Sequence, residues 1–269
     1  MDFARLKYLF ITHCHPDHWG LAKFFEDESD AKIIFPRNDT VKHVRMPEYL
    51  KQMREMFTEF GFPKIGAEKG EGMLEEFQSS IQFPDKYLLL EESADILEKF
   101  GISYISCPGH SQTDIVYLLE NFAITGDVIL REIFTAPLLD VDADSFDKRF
   151  KNYAAYCNTI SKLKSIEERE ILPSHRDYID SVDERILFFV EKLIGRSVTV
   201  APLIKSGKSF FEIAMSLPGS ESSDYFRMYI KTSEVVFISD FLSEPELLID
   251  ALKINHLYER IKDKLEALI

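Results

Sequence analysis

Thr12-His13-Cys14-His15-Pro16-Asp17-His18-Trp19-Gly20 decides how the rest of the chain is read. Its Thr12 closes Leu6-Lys7-Tyr8-Leu9-Phe10-Ile11-Thr12, a short apolar run of strand formers that reads as a buried strand. At a strand end, side chains two positions apart leave on the same side, so His13 and His15 can share one cation. Asp17 and His18 come after the turn at Pro16 and face an adjacent position. Imidazole and carboxylate are ligands suited to zinc, so one short loop offers donors to two neighbouring ions. Cys14 lies between the two histidines and points to the opposite face on the same alternation. It is assigned a packing role.

Three further places share this context of strand, tight turn and polar side chain. They are Pro108-Gly109-His110-Ser111, Thr125-Gly126-Asp127 and Pro173-Ser174-His175. Taken singly, each has a plainer reading: a structural histidine after a strand, or a Gly-Asp turn. Their joint appearance after the first motif, in this order, points to one metal site assembled from several strand ends. His43 lies in a polar stretch before a helix, and His256 on the last helix beside Asn255 and Tyr258. Both are read as packing or surface residues.

These motifs resemble those of the metallo-β-lactamase superfamily, in which His-x-His-x-Asp-His is followed along the chain by His, Asp and His. The resemblance implies that His13, His15 and His110 hold a first metal, that Asp17, His18 and His175 hold a second, and that Asp127 bridges the two. Two Zn2+ ions are the expected cofactor, with Fe or Mn as the other options. Thr12 to Gly20, Pro108 to Asp114 and Thr125 to Leu130 are most similar to the glyoxalase II-like branch and to lactamase-like hydrolases with a helical C-terminal domain. The implied reaction is attack of a metal-activated hydroxide on a carbonyl ester, most readily a thioester such as an S-acyl-glutathione, with Asp17 and Asp127 as catalytic residues. The alternatives are a lactonase, a phosphodiesterase or endoribonuclease, a mononuclear-iron persulfide dioxygenase, and an inactive truncated remnant. Histidine at position 15 sets the motif apart from the flavodiiron branch, which has glutamate there. Three departures stand out. Only twelve residues precede His13 where the family has a strand-rich segment, Ser174 replaces a usual glycine, and Asp114 replaces a small residue or histidine. The first implies a sandwich lacking part of its first sheet, through a start that lies upstream, or through a fragment or a shortened form.

Read outward, the chain alternates strands and helices up to about residue 178, which indicates α/β layering. Strands are expected at 31–35, 86–90, 102–106, 115–119, 121–125 and 170–172. Helices are expected at 21–28, at 47–60 with Tyr49, Leu50, Met53, Met56, Phe57 and Phe60 on one stripe, and at 145–163 with Phe146, Phe150, Tyr153, Ala154, Cys157 and Ile160 facing inward. The fold class is therefore α/β: an αββα metallo-β-lactamase sandwich over 1–178, with a helical lid at about 46–80, and a small helical, winged-helix-like domain over 179–269. In that tail, a helix over 181–194, a capping box at Ser209-Phe-Phe-Glu212 and mostly helical segments over 224–242 and 244–268 are expected.

The whole chain bounds the function. Its 269 residues carry a net charge of −14 and 45% hydrophobic residues, an ordinary globular composition that repels phosphate backbones and anionic membranes. A small-molecule substrate is expected, with no nucleic acid and no membrane as partner. Three cysteines imply no disulfide framework, and the apolar run before His13 is too short for a signal peptide, so a cytoplasmic location is expected.

Overall fold

The computed structural model describes residues 3–13, 15–135, 137–219 and 224–269. Cys14, with the packing role assigned to it, lies outside them.

Strand β1 (Tyr8–Phe10) leads into the short helix α1 (Pro16–Trp19) and then α2 (Ala22–Glu28). The chain returns as β2 (Lys32–Phe35), passes through α3 (Arg37–Val44), α4 (Met46–Glu59) and α5 (Lys64–Ser80), and comes back as β3 (Leu88–Leu89). β1, β2 and β3 pair in parallel, so each junction needs a crossover, which these helices supply. Helix α6 (Ala94–Lys99) leads to a second sheet of β4 (Ser103–Ser106), β5 (Ile115–Leu118), β6 (Phe122–Gly126) and β7 (Glu170–Pro173). Its order is β4-β5-β6-β7, antiparallel except for the β6–β7 pair, whose parallel crossover contains α7 (Asn152–Leu163).

The sheets pack through Ile34, Leu90, Ile96, Leu97, Ile115 and Tyr117. Two bonds lock their ends together beside the histidine loop. The Ile115 amide donates to Thr12 O at 2.9 Å, and the Tyr117 hydroxyl donates to Ile11 O at 2.8 Å. The loops that follow β1, β4, β6 and β7 are thereby brought to one edge of the sandwich.

After β7 the described residues form helices and no further strand: α8 (Val182–Ile204), α9 (Phe210–Ser216), α10 (Tyr225–Ser243), α11 (Pro245–Ile254) and α12 (Tyr258–Glu266). Ser209 and Glu212 make the capping box reciprocally. The largest apolar cluster joins both parts of the chain. Val116, Tyr156 and Cys157 lie in it with Val190, Phe237, Phe241 and Leu252.

Most expected elements occur within a residue or two, but three differ. The helix expected from Ser145 begins only at Asn152. Asp142 captures the preceding stretch, its carboxylate accepting from the amides of Asp144 and Ser145 at 3.1 Å each, and Phe146 takes a left-handed φ of 56°. Phe146 accordingly packs with Tyr49 and Leu50, away from the α7 cluster. Helix α8 runs ten residues beyond Ile194, because Ser197 and Val200 are buried in the core. The last helical stretch is broken: His256, at φ 58°, sits in the turn between α11 and α12 and not on a helix. His43 stacks on Phe83 with ring centroids 4.0 Å apart, a packing residue half buried.

Candidate metal centre

The seven side chains singled out by sequence come from four loops and converge. His13 and His15 follow β1, and Asp17 and His18 lie in α1. His110 follows β4, Asp127 follows β6 and His175 follows β7. His15 Nδ1 lies 3.1 Å from His13 Nε2 and 2.9 Å from His110 Nε2. On the other side, Asp17 Oδ2 lies 3.2 Å from His175 Nε2 and 3.4 Å from His18 Nε2. Asp127 stands between the groups. Its Oδ2 is 3.5 Å from His110 Nε2 and 3.6 Å from His18 Nε2, and its Oδ1 is 3.7 Å from His175 Nε2. Three sets have donor atoms mutually within 4.8 Å: His13, His15 and His110; His13, His18 and Asp127; and Asp17, His18 and His175.

The donor chemistry fits a divalent cation. Nitrogens on a tetrahedral zinc with bonds of about 2.0–2.1 Å stand about 3.4 Å apart, close to the spacing among His13, His15 and His110. Burial, and then the neighbouring imidazoles, hold the pKa of His13 and of His15 well below the usual histidine value, so both keep a lone pair to give. Burial opposes charge on His18, but the carboxylates of Asp127 and Asp17 outweigh it and raise its pKa. Burial likewise works against ionised Asp127, yet His18, Ser174 and His110 bring its pKa down to about 2. The two sides differ in access: His13 is fully buried, whereas the side chains of His175 and Asp17 are 45% and 58% exposed.

Behind the donors lies a polar layer. Asp114, 1% exposed, places Oδ1 3.9 Å from the far nitrogen of His13, Nδ1, and Thr12 Oγ1 lies 3.2 Å from that same atom. The Ser111 amide and hydroxyl donate to Asp114 at 2.7 and 2.9 Å. An acceptor oxygen behind a ligating imidazole fixes the ring's orientation. Burial and the carboxylates of Asp39 and Asp127 outweigh the Ser111 bonds and push the Asp114 pKa up to about 8. The Ser174 hydroxyl donates to Asp127 Oδ1, so the serine that replaces a glycine holds the central carboxylate. Asp114 and Ser174 showed in the sequence only as departures from a pattern. The Lys42–Asp140 pair beside the site showed nothing, since its partners are 98 residues apart and meet only through the fold.

The sequence model of the metallo-beta-lactamase superfamily matches residues 4–175. The chain is similar to the probable metallo-hydrolase YqjP of Bacillus subtilis, 22% identical over 210 residues that cover 76% of this chain and 65% of that protein. It is also similar to the probable metallo-hydrolase MJ0888 of Methanocaldococcus jannaschii, 28% identical over 118 residues, 44% of this chain and 47% of that one. The chain thus spans less than two thirds of the length of either curated relative. Among solved structures it is similar to the metallo-beta-lactamase family protein TTHA1429 from Thermus thermophilus, with TM-score 0.69, 19% identity, and coverage of 91% of this chain and 76% of that one. A beta-lactamase domain protein from Burkholderia ambifaria gives TM-score 0.65 and 18% identity, covering 88% and 69%. At such identities the structural likeness is one of fold. Among the described residues no helix is long and apolar enough to cross a membrane.

Proposed function

Because the chain belongs to the metallo-beta-lactamase superfamily, we propose that it is a binuclear-zinc hydrolase of carbonyl esters, with thioesters as the substrate class. One observation carries this reading: seven side chains from four separate loops direct imidazoles and carboxylates at two adjacent points, with Asp127 between them. His13, His15 and His110 would hold one ion and Asp17, His18 and His175 the other. Bound there, such cations supply Lewis acidity, lowering the pKa of water toward neutrality and polarising a carbonyl.

The chain's own groups do the rest. Asp127, held by Ser174, fixes the distance between the two donor sets. Thr12 Oγ1, 3.2 Å from His13 Nδ1, holds that ring so that Nε2 faces the site, with Asp114 behind it. Asp17 is open to solvent and lies against His175, where it can orient the attacking water and accept its proton. Water oxygen bonds to the acyl carbon and the carbon–sulfur bond breaks. The sulfur leaves with the electron pair and is protonated to a thiol, while the acyl group departs as a carboxylate. Among the described residues Cys107 and Cys157 are buried and their thiol pKa is pushed up to about 12, so neither serves as a nucleophile.

Metal analysis of the purified chain, followed by a thioester panel, tests this. Two equivalents of zinc and release of thiol are expected. No zinc uptake from excess metal, or no thiol released from any member of the panel, overturns it.

A further inference from the structure

One end of the metal site opens into a cavity of about 670 Å³, within the range of sites that enclose small ligands. His15, Asp17, His110 and Asp127 stand at that end. The walls are of another kind. Trp19, Tyr49 from α4, Met73 and Leu74 from α5, Leu138, and Ile230 from α10 line them. Tyr229 lines the cavity too, but its hydroxyl donates to Leu139 O and so is turned to the backbone. Away from the metal end the charge at the wall is compensated. Lys42 is paired with Asp140, which also accepts from Gln112 Nε2 at 2.8 Å. Among the described lining residues no other lysine or arginine occurs, so a phosphate or carboxylate at the wall would find only a cation already engaged. An apolar group, by contrast, would leave water for a surface of hydrocarbon and ring carbon.

We infer that this cavity binds the acyl part of the substrate and takes it as a neutral hydrocarbon chain. Medium-chain acyl thioesters are then preferred over acetyl thioesters and over phosphodiesters. The inference rests on the hydrolase reading above and names the substrate class within it. The reacting carbonyl lies at the histidine end, the chain runs between α5 and α10, and the thiol portion points to the solvent side where His175 and Asp17 are open.

Two measurements on the 269-residue chain separate this claim from the reading beneath it. The first is a series of N-acetylcysteamine thioesters from acetyl to octanoyl, assayed on the zinc-loaded protein. Burial of a methylene predicts a rise in kcat/KM of about fourfold per CH2, equivalent to about 0.8 kcal/mol. The second needs no turnover. Trp19 is the chain's single tryptophan and lines the cavity, so its fluorescence should change saturably as neutral octanamide is added. Leu74→Arg, checked for folding by circular dichroism, should weaken that binding at least about tenfold and lower the octanoyl-to-acetyl rate ratio. Ile230→Arg on the facing helix should do the same.

If acetyl thioesters are cleaved as well as octanoyl ones, the acyl proposal fails while the hydrolase reading stands. If octanamide titrates Trp19 and Leu74→Arg abolishes the response, but no thioester is cleaved, the hydrocarbon site stands and the hydrolase reading fails. Faster cleavage of a phosphodiester such as bis-p-nitrophenyl phosphate overturns the acyl proposal, as does an octanamide titration that leaves Trp19 unchanged.

Discussion

Gly109→Ala offers a direct probe of how the fold positions the metal centre. Gly109 precedes His110 and adopts φ 156°. A Cβ placed there would lie 2.6 Å from Tyr156 Cδ2 and 2.8 Å from both Tyr156 Cα and Cβ, where carbon atoms prefer about 3.5–4.0 Å. Tyr156 belongs to α7 and is 3% exposed, so it has no room to give way. The same helix grips the loop through Asn152 Nδ2 donating to Gly109 O at 3.0 Å and Thr159 Oγ1 donating to Pro108 O at 2.8 Å. Overpacking costs about 1–3 kcal/mol and the backbone conformation about 1–3 more, so the variant should lose about 2–6 kcal/mol of stability. Relief requires the loop to lift off α7, which carries His110 away from His15. Urea unfolding should show a lower midpoint, and elemental analysis should show less than two zinc per chain. A variant within about 1 kcal/mol of the parent that retains its full zinc content would refute the argument that α7 positions His110.

Other perturbations divide the site further. His175→Ala removes a 45% exposed side chain, so thermal stability should hold within about 0.5 kcal/mol while zinc content falls toward one per chain and thioester cleavage drops by about a hundredfold or more; an unchanged zinc content argues against His175 as a ligand. Lys42→Met strands Asp140 in a pair whose side chains are 9% and 13% exposed, and should cost about 3–5 kcal/mol in urea unfolding, with Lys42→Met/Asp140→Leu recovering part of it. Cys107 and Cys157 have folded-state pKa values near 12 against an ordinary 9.0, so the folded chain holds these protons where the unfolded chain releases them. Stability should therefore fall as pH rises above 9, by about 1–2 kcal/mol per thiol at pH 10, and neither thiol should react with iodoacetamide at pH 8 until the chain unfolds.

What could be read from the sequence was what depends on near neighbours. His13 to His18 declare themselves by spacing within one loop, and the strands at 32–35, 115–118 and 122–126 by composition and bounding turns. The stripe of Tyr49, Leu50, Met53, Met56 and Phe57 gave α4, because a periodic apolar face is local information. The region of Ser145 to Phe150 misled for the opposite reason. Its apolar residues fall at helical spacing, but the Asp142 carboxylate competes for the amides a helix would use. The helix expected to stop at Ile194 continues to Ile204, because the core that buries Ser197 and Val200 carries α8 onward. The bonds from Ser174 to Asp127 and from Lys42 to Asp140 join residues 47 and 98 positions apart, and no local pattern encodes them.

The apolar cluster that fuses the strand-bearing part of the chain to its helical tail has an evolutionary consequence. Helix α10 contributes Val235, Phe237 and Phe241 to that shared interior and Ile230 to the cavity wall, so one helix both supports the tertiary structure and helps shape the pocket beside the histidines. Excising the tail would strip shelter from the catalytic layers. Changing only its cavity-facing residues would alter what enters while leaving the cation-binding loops intact. A lineage could thus retune its diet by drift in a region far along the chain, with the reactive apparatus held constant.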